Sequence, residues 1–300
     1  MSFPAVKILG INITNSSKKE ILEEIQKYLL QNPKSKIQNP KSAIKPLVIV
    51  TPNPEQIVYA EKNKRFADIL NRADVAIPDG SGIVWASRFL GFKRMTNDGL
   101  RVTHSIPGVE LMEDLVAIAA KRAVPIALIG GRGNLAVEAF ECLQKRHHGL
   151  KGLAVPAPGM EVADSKLKIE SYDNPEEYFP GLARTIVQEG AKIVFVGLGA
   201  PKQEYFIARL ARECQMLLRK DSGRANAKCQ IVMMSVGGSF DIITGRKPRA
   251  PAWVRRLRVP LFSGLIGSEF IWRLFHEPWR LGRQLALIKF IGLVLKERFF

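Results

Sequence analysis

Five runs made almost entirely of Val, Ile, Leu, Ala and Phe recur along the chain, at residues 47–51, 75–78, 125–130, 193–197 and 231–236. Segments of helical periodicity separate and follow them, at 55–70, 82–90, 109–122, 135–145, 176–189 and 203–218. A strand that is apolar at every position, rather than at alternate ones, has to be covered on both faces, and the intervening helices supply that cover. The pattern predicts an α/β fold: a Rossmann-like, mostly parallel sheet with helices on both faces. At 300 residues and 46% hydrophobic content the chain can build such a core, which excludes disorder as its ground state. Ligands of these sheets sit beyond the carboxyl ends of the strands, so the residues just after each apolar run carry the chemistry.

Those residues are polar or glycine-rich. After the first run, Thr51-Pro52-Asn53-Pro54-Glu55 has two prolines that stiffen a turn and fix where Thr51 and Asn53 point, with Asn53 also suited to capping the helix that follows. After the second, Pro78-Asp79-Gly80-Ser81-Gly82 sets a carboxylate between a buried strand and two glycines, Gly80 and Gly82, that let a ligand approach the backbone. Asp79 there either takes a proton from a nucleophilic hydroxyl or caps the next helix. Gly130-Gly131-Arg132-Gly133 opens a helix in the manner of a main-chain phosphate cradle, with Gly131 at its centre; tight packing is the competing use.

The most specific string is Gly197-Leu198-Gly199-Ala200-Pro201-Lys202-Gln203-Glu204. Gly199 thins the backbone, Pro201 stands at a helix start, and Lys202, Gln203 and Glu204 gather donors and acceptors at the helix's positive end. That combination suits a sugar nucleotide, whose diphosphate needs cations and amides and whose hydroxyls need a bidentate amide. Asp241, after the last run, has two readings: it holds a ribose or sugar hydroxyl, or it forms a salt bridge with the neighbouring arginines.

From Arg246 onward twelve bases face three acids, supplying nine of the formal +17, and Trp253, Phe262, Trp272, Phe275, Trp279 and Phe290 are interleaved with them. We place a boundary here, with a catalytic core at 1–245 and a basic, amphipathic helical appendage of two or three helices at 246–300. Bases mixed with aromatics seek an anionic, partly apolar partner, and an anionic membrane surface fits better than nucleic acid. The most apolar late stretch, 285–295, is broken by Lys289 and falls short of the roughly 20 residues that span a bilayer. The first ten residues lack a basic region with a long apolar run, and Cys142, Cys214 and Cys229 have no metal-ligand spacing. The expectation is a cytoplasmic protein lying peripherally on the inner face of the cell membrane. An apolar tail face also leaves self-association into a homo-oligomer open.

Taken in order, Thr51-Pro52-Asn53, Pro78-Asp79-Gly80-Ser81-Gly82, Pro107-Gly108-Val109-Glu110-Leu111, the Gly197–Glu204 string, Arg249-Ala250-Pro251-Ala252-Trp253 and Glu277-Pro278-Trp279-Arg280 resemble the motifs of the WecG/TagA/CpsF glycosyltransferases. The resemblance implies transfer of a hexose, N-acetylmannosamine or a relative of it, from a UDP-sugar to a polyprenyl-diphosphate-linked sugar acceptor with inversion. It implies Asp79 as the base, Thr51 and Asn53 beside it, Gln203 on the donor side, and Arg249, Arg273, Arg280 and Arg283 closing over the diphosphate and docking on lipid. Ser105 stands where the family pattern usually has arginine, and Met160 where an aromatic is usual.

No Asp-x-Asp pair occurs in the chain, so no metal and no other cofactor is expected, and bases and main-chain amides would balance the leaving diphosphate. Two rivals stand against the transferase reading. A nucleotide-dependent oxidoreductase would share the glycine turns, but no complete Gly-x-Gly-x-x-Gly follows the first run. A nucleic-acid-binding protein would use the basic tail alone.

Overall fold

The computed structural model describes residues 3–30, 45–91, 101–170, 174–220, 230–251, 254, 272 and 281–299, with backbone alone at 281–284. The tandem duplication of the sequence, QNPKSKI at 31–37 and QNPKSAI at 38–44, whose composition reads as a solvated loop, lies outside them. In chain order the elements are β1 (Ala5–Ile8), β2 (Ile11–Thr14), α1 (Lys18–Leu30), β3 (Leu47–Val50), α2 (Pro54–Lys62), α3 (Lys64–Arg72), β4 (Val75–Ala76), α4 (Ser81–Gly91), α5 (Gly108–Lys121) and β5 (Ile126–Gly130). There follow α6 (Leu135–Arg146), β6 (Gly152–Val155), β7 (Met160–Ala163), β8 (Lys166–Ile169), α7 (Pro175–Gln188), β9 (Ile193–Gly197), α8 (Lys202–Lys220), β10 (Val232–Ser235), α9 (Ser239–Ile243) and α10 (Leu281–Phe299). They form two compact units: a larger one of Lys18–Val50 and Gly108–Lys247, and a smaller one of Met1–Ser17, Thr51–Pro107 and Pro248–Phe300.

In the larger unit the strands run β3-β10-β9-β5-β6, and every neighbouring pair is parallel. All residues of β5, β9 and β10 are buried, as a strand covered on both faces requires. One cover is α7 and α8, whose Phe179, Leu182, Phe206 and Leu210 pack on Ala127, Ile129, Val194 and Val196. The chain leaves β5 outward to β6 and then returns to β9 on the other side, so the order reverses between β5 and β9. Gly130 and Gly197, the last residues of these two strands, stand opposite each other in register. A reversal of this kind leaves a crevice at the strand ends. The predicted α/β sheet is therefore present.

The smaller unit holds the β1–β2 hairpin, whose turn residues Leu9 and Gly10 have φ of 46° and 80°. Thr14 Oγ1 accepts from the Ala76 N–H (3.0 Å), tying the hairpin to β4. Helix α10 packs on α2 and α4 and fully buries Phe290 and Val294. Its end is fastened twice. Glu297 Oε2 accepts from the Leu9 N–H at 3.0 Å, and the Arg298 guanidinium lies 4.6 Å from the centre of the Phe89 ring and donates to the Phe89 carbonyl.

Helix α1 and strand β6 are additional to the segments read from the sequence, and one expected helix is broken in two. Residues 55–70 read as continuous, yet the chain breaks at Asn63, which ends α2 and begins α3. The Asn63 N–H donates to the Ala60 carbonyl (3.1 Å), while its Oδ1 accepts from Phe66 N (3.0 Å). A side chain able to cap outcompetes helix continuation at that point. We expect Asn63→Ala to lower the unfolding free energy of the full chain by about 1 kcal/mol, read from the urea midpoint. An unchanged midpoint would show that the cap does not hold the break.

Candidate functional site

In the smaller unit, backbone hydrogen bonds bring three of the sequence motifs together. Asp79 donates its N–H to the Pro52 carbonyl (3.0 Å), and Ile106 donates to the Pro78 carbonyl (2.8 Å). The Thr51–Asn53 turn, the Asp79 turn and the segment before Pro107 are thus laced side by side. Asp79 is half-buried just after β4, and the exposed Gly80 beside it takes φ 95°, a conformation open to glycine at little cost. Helix α4 starts two residues beyond the acid, at Ser81.

The other residues of this cluster have structural duties. Thr51 is 6% exposed. Asn53 is the N-cap of α2: its Oδ1 accepts from Gln56 N (3.0 Å), the capping use that the Pro-rich turn allowed. Gly82 is set by close packing, since a Cβ there would lie 2.7 Å from Pro54 Cγ. Substrate contact is not what makes that glycine necessary. Arg249 is half-buried in this unit; Arg273 and Arg280 lie outside the described residues, as does the side chain of Arg283.

In the larger unit the ends of β5 and β9, where the strand order reverses, carry the two glycine turns. Gly131 donates its N–H to the Gly197 carbonyl (2.9 Å) and has φ 76°, and a Cβ on it would meet Leu135 at 2.7 Å. Its amide ties the turns to each other instead of facing a ligand. Gly197 is needed because the Phe240 ring would lie 2.6 Å from a Cβ there. Gly199, by contrast, has φ 73° and open space around it. Pro201 follows, and Lys202 begins α8 half-exposed, so an ammonium group stands at the positive end of a 19-residue helix.

Gln203 is 1% exposed, and both ends of its amide are engaged: Nε2 donates to Glu204 Oε1 (2.8 Å) and Oε1 accepts from the Gly237 N–H (2.9 Å). It therefore clamps the start of α8 to the turn after β10. Glu204, which the motif groups with Lys202 and Gln203, is fully buried and receives the Gln203 amide. Asp241 is ion-paired, but to Lys247 (Oδ2–Nζ 3.3 Å) instead of the expected arginine, because Arg246 is taken by both oxygens of Glu138 at 2.7 and 2.6 Å. Among the described residues, no group of three or more His, Cys, Asp or Glu side chains could hold a metal ion. No helix among them is long and apolar enough to cross a membrane.

A family model described as the glycosyl transferase WecG/TagA/CpsF family matches residues 6–300. Among curated proteins, the N-acetylglucosaminyldiphosphoundecaprenol N-acetyl-beta-D-mannosaminyltransferases of Staphylococcus aureus strains MW2 and NCTC 8325 are each 26% identical over 293 residues, covering 98% of this chain and 93% of theirs. The protein of the same name from strain MRSA252 is 27% identical over the same span. These relatives are named neither as oxidoreductases nor as nucleic-acid-binding proteins.

The clamp geometry separates two roles for Gln203. Gln203→Met removes the acceptor of the Gly237 N–H and should lower unfolding free energy by about 1–3 kcal/mol, whereas Asp241→Asn, at a partly exposed pair, should cost less than about 1 kcal/mol. Urea denaturation of both variants checks this. A Gln203→Met protein of unchanged stability but lost nucleotide-sugar affinity would make the amide a ligand group rather than a clamp.

Proposed function

We propose, from the premise that this chain belongs to the WecG/TagA/CpsF family of glycosyl transferases, that it moves an N-acetylmannosamine-like hexose from a UDP-sugar to a polyprenyl-diphosphate-linked sugar acceptor, in the synthesis of a cell-surface polymer. Likeness over 98% of the chain to relatives named for such a transfer supports the substrate class. The observation that carries the mechanism is Asp79, a half-buried carboxylate whose turn is held by backbone bonds on both sides.

In this reading Asp79 takes the proton of an acceptor hydroxyl as that oxygen bonds to the anomeric carbon. The bond from that carbon to the diphosphate oxygen breaks, and UDP leaves with the electron pair. A single displacement of this kind inverts the anomeric centre. Thr51 and Asn53 frame the acid with Gly80, and Gly82 sets the start of α4. On the donor side Gly199 and Pro201 shape the turn, Lys202 and the N-terminus of α8 meet the diphosphate, and Gln203 acts by positioning, through the Gly237 turn. Asp241 keeps Lys247 in place, and Gly131 holds the paired glycine turns. We assign Arg249, Arg273, Arg280 and Arg283 to the diphosphate and to lipid, with no metal ion in the reaction.

The catalytic core is residues 1–245, and 246–300 serves docking and closure. Because α10 is packed into the smaller unit through Phe290 and Val294, docking falls to its outward face. The protein then works peripherally on the inner face of the cell membrane, with an anionic surface as its partner. No role for nucleic acid is proposed, and a homo-oligomer remains compatible with the reading.

Two outcomes follow. Asp79→Asn should cut turnover by about a hundredfold to ten-thousandfold while leaving UDP-sugar affinity intact, as steady-state kinetics and calorimetric titration would show. Near-normal turnover would remove Asp79 from the base role. Co-sedimentation of the full chain with anionic vesicles should weaken steadily as salt rises, because cation pairing with headgroups is screened. Salt-independent sedimentation would contradict the docking assignment.

A further inference from the structure

Helix α10 shows two unlike faces. Phe290 and Val294 are buried, while Leu285, Ile288, Leu295 and Phe299 on the opposite side are between 39% and 67% exposed. With Gly292, these exposed positions repeat at intervals of three and four residues, which puts them on one stripe along the helix. Lys289 and Lys296, both exposed and one heptad apart, follow one border of that stripe.

Along the same border, between α10 and α2, lies a cavity of ≈ 290 Å³. Lys62, Lys289 and Lys296 line it with the apolar Val58 and Leu293, and Gly292 lines it too, with open space where a Cβ would stand, so a larger side chain there can extend over it. Glu61 is the one acid in the lining, which leaves an excess of two positive charges (three lysines against one glutamate). Among the described residues none of the three lysines is in an ion pair, unlike Lys18, Lys27 and Lys247.

We infer that this cavity is a binding site for the phosphate headgroup of an anionic membrane lipid, held while the stripe beside it rests in the acyl boundary. A phosphodiester satisfies what the three ammonium groups and the apolar lining offer together: strong acceptors for the one and a glycerol backbone for the other. A second copy of the chain is the poorer occupant, because pairing two stripes would bring the Lys289 and Lys296 borders of both copies into one seam. The inference rests on the reading of the C-terminal segment as the membrane-facing part and names the lipid chemistry that it recognises.

The test measures partitioning of the full chain onto vesicles of phosphatidylcholine with and without phosphatidylglycerol. Neutralising the site in Lys62→Gln/Lys289→Gln/Lys296→Gln should weaken partitioning onto the anionic vesicles on the order of a hundredfold, about fivefold for each lysine. The equal charge change Lys151→Gln/Lys166→Gln/Lys168→Gln, in the larger unit, should weaken it far less. Equal losses in the two triple variants would overturn the site in favour of diffuse attraction. Gly292→Leu adds apolar surface without altering charge but extends over the cavity, so weaker binding to anionic vesicles supports a headgroup site and tighter binding overturns it.

Titration with soluble glycerol phosphate separates the sources of phosphate. Saturable binding of that ester by a chain that ignores anionic vesicles would assign the cavity to a free phosphate and overturn the lipid. A dimer that dissociates on Ile288→Glu and does not partition would give the stripe to a second copy, and overturns it likewise. Partitioning, not turnover, is the readout, so a chain that failed to transfer sugar would refute the transferase reading while the vesicle comparison still decided this one.

Discussion

Burial of whole strands on both faces is the constraint from which the rest follows. β5, β9 and β10 have no exposed residue, and their one polar side chain, Ser235, stands at the last position of β10. Function is pushed to the turns where the strands end, and in the larger unit the reversal of strand order brings two of those turns side by side. The glycines there serve the scaffold first. Gly131 lets the two turns hydrogen-bond and Gly197 makes room for the Phe240 ring, whereas Gly133 and Gly199 have open space around them.

The same logic shapes the smaller unit with fewer strand residues. A carboxylate on a loop would wander; here the Pro52 and Pro78 carbonyls accept N–H groups from Asp79 and Ile106, so the turn carrying the acid is braced on both sides by main chain. Proline supplies stiffness where a helix must start, and Asn53 completes that start by capping α2. Helix α10 then closes the unit, and its fastening by Glu297 and Arg298 gives the outward stripe a fixed support.

Much of this was legible in the residues and some was not, for physical reasons. Continuous apolar runs identified β3, β5, β9 and β10 to within a residue or two, because complete burial has no other simple cause. The β1–β2 and β7–β8 hairpins were not read, since their four-residue strands alternate polar and apolar side chains too briefly to register as a period. The break at Asn63 hid inside an unbroken helical period. Roles that depend on distant partners were illegible in principle: Gln203 needs Gly237, 34 residues on, to become a clamp, and Gly82 needs Pro54 to become a packing glycine. Asp241 is legible as a hydroxyl ligand or as a partner of the neighbouring arginines, and only the fold shows Lys247 in that place, with Arg246 drawn to Glu138.

At the centre of the account stands one base and one displacement, with no covalent sugar on the protein between donor and acceptor. The anomeric configuration of the product tests this most directly: nuclear magnetic resonance of the disaccharide formed on a soluble acceptor should show the opposite configuration to that of the UDP-sugar. Retention of the donor's configuration would demand two displacements and would contradict the role assigned to Asp79.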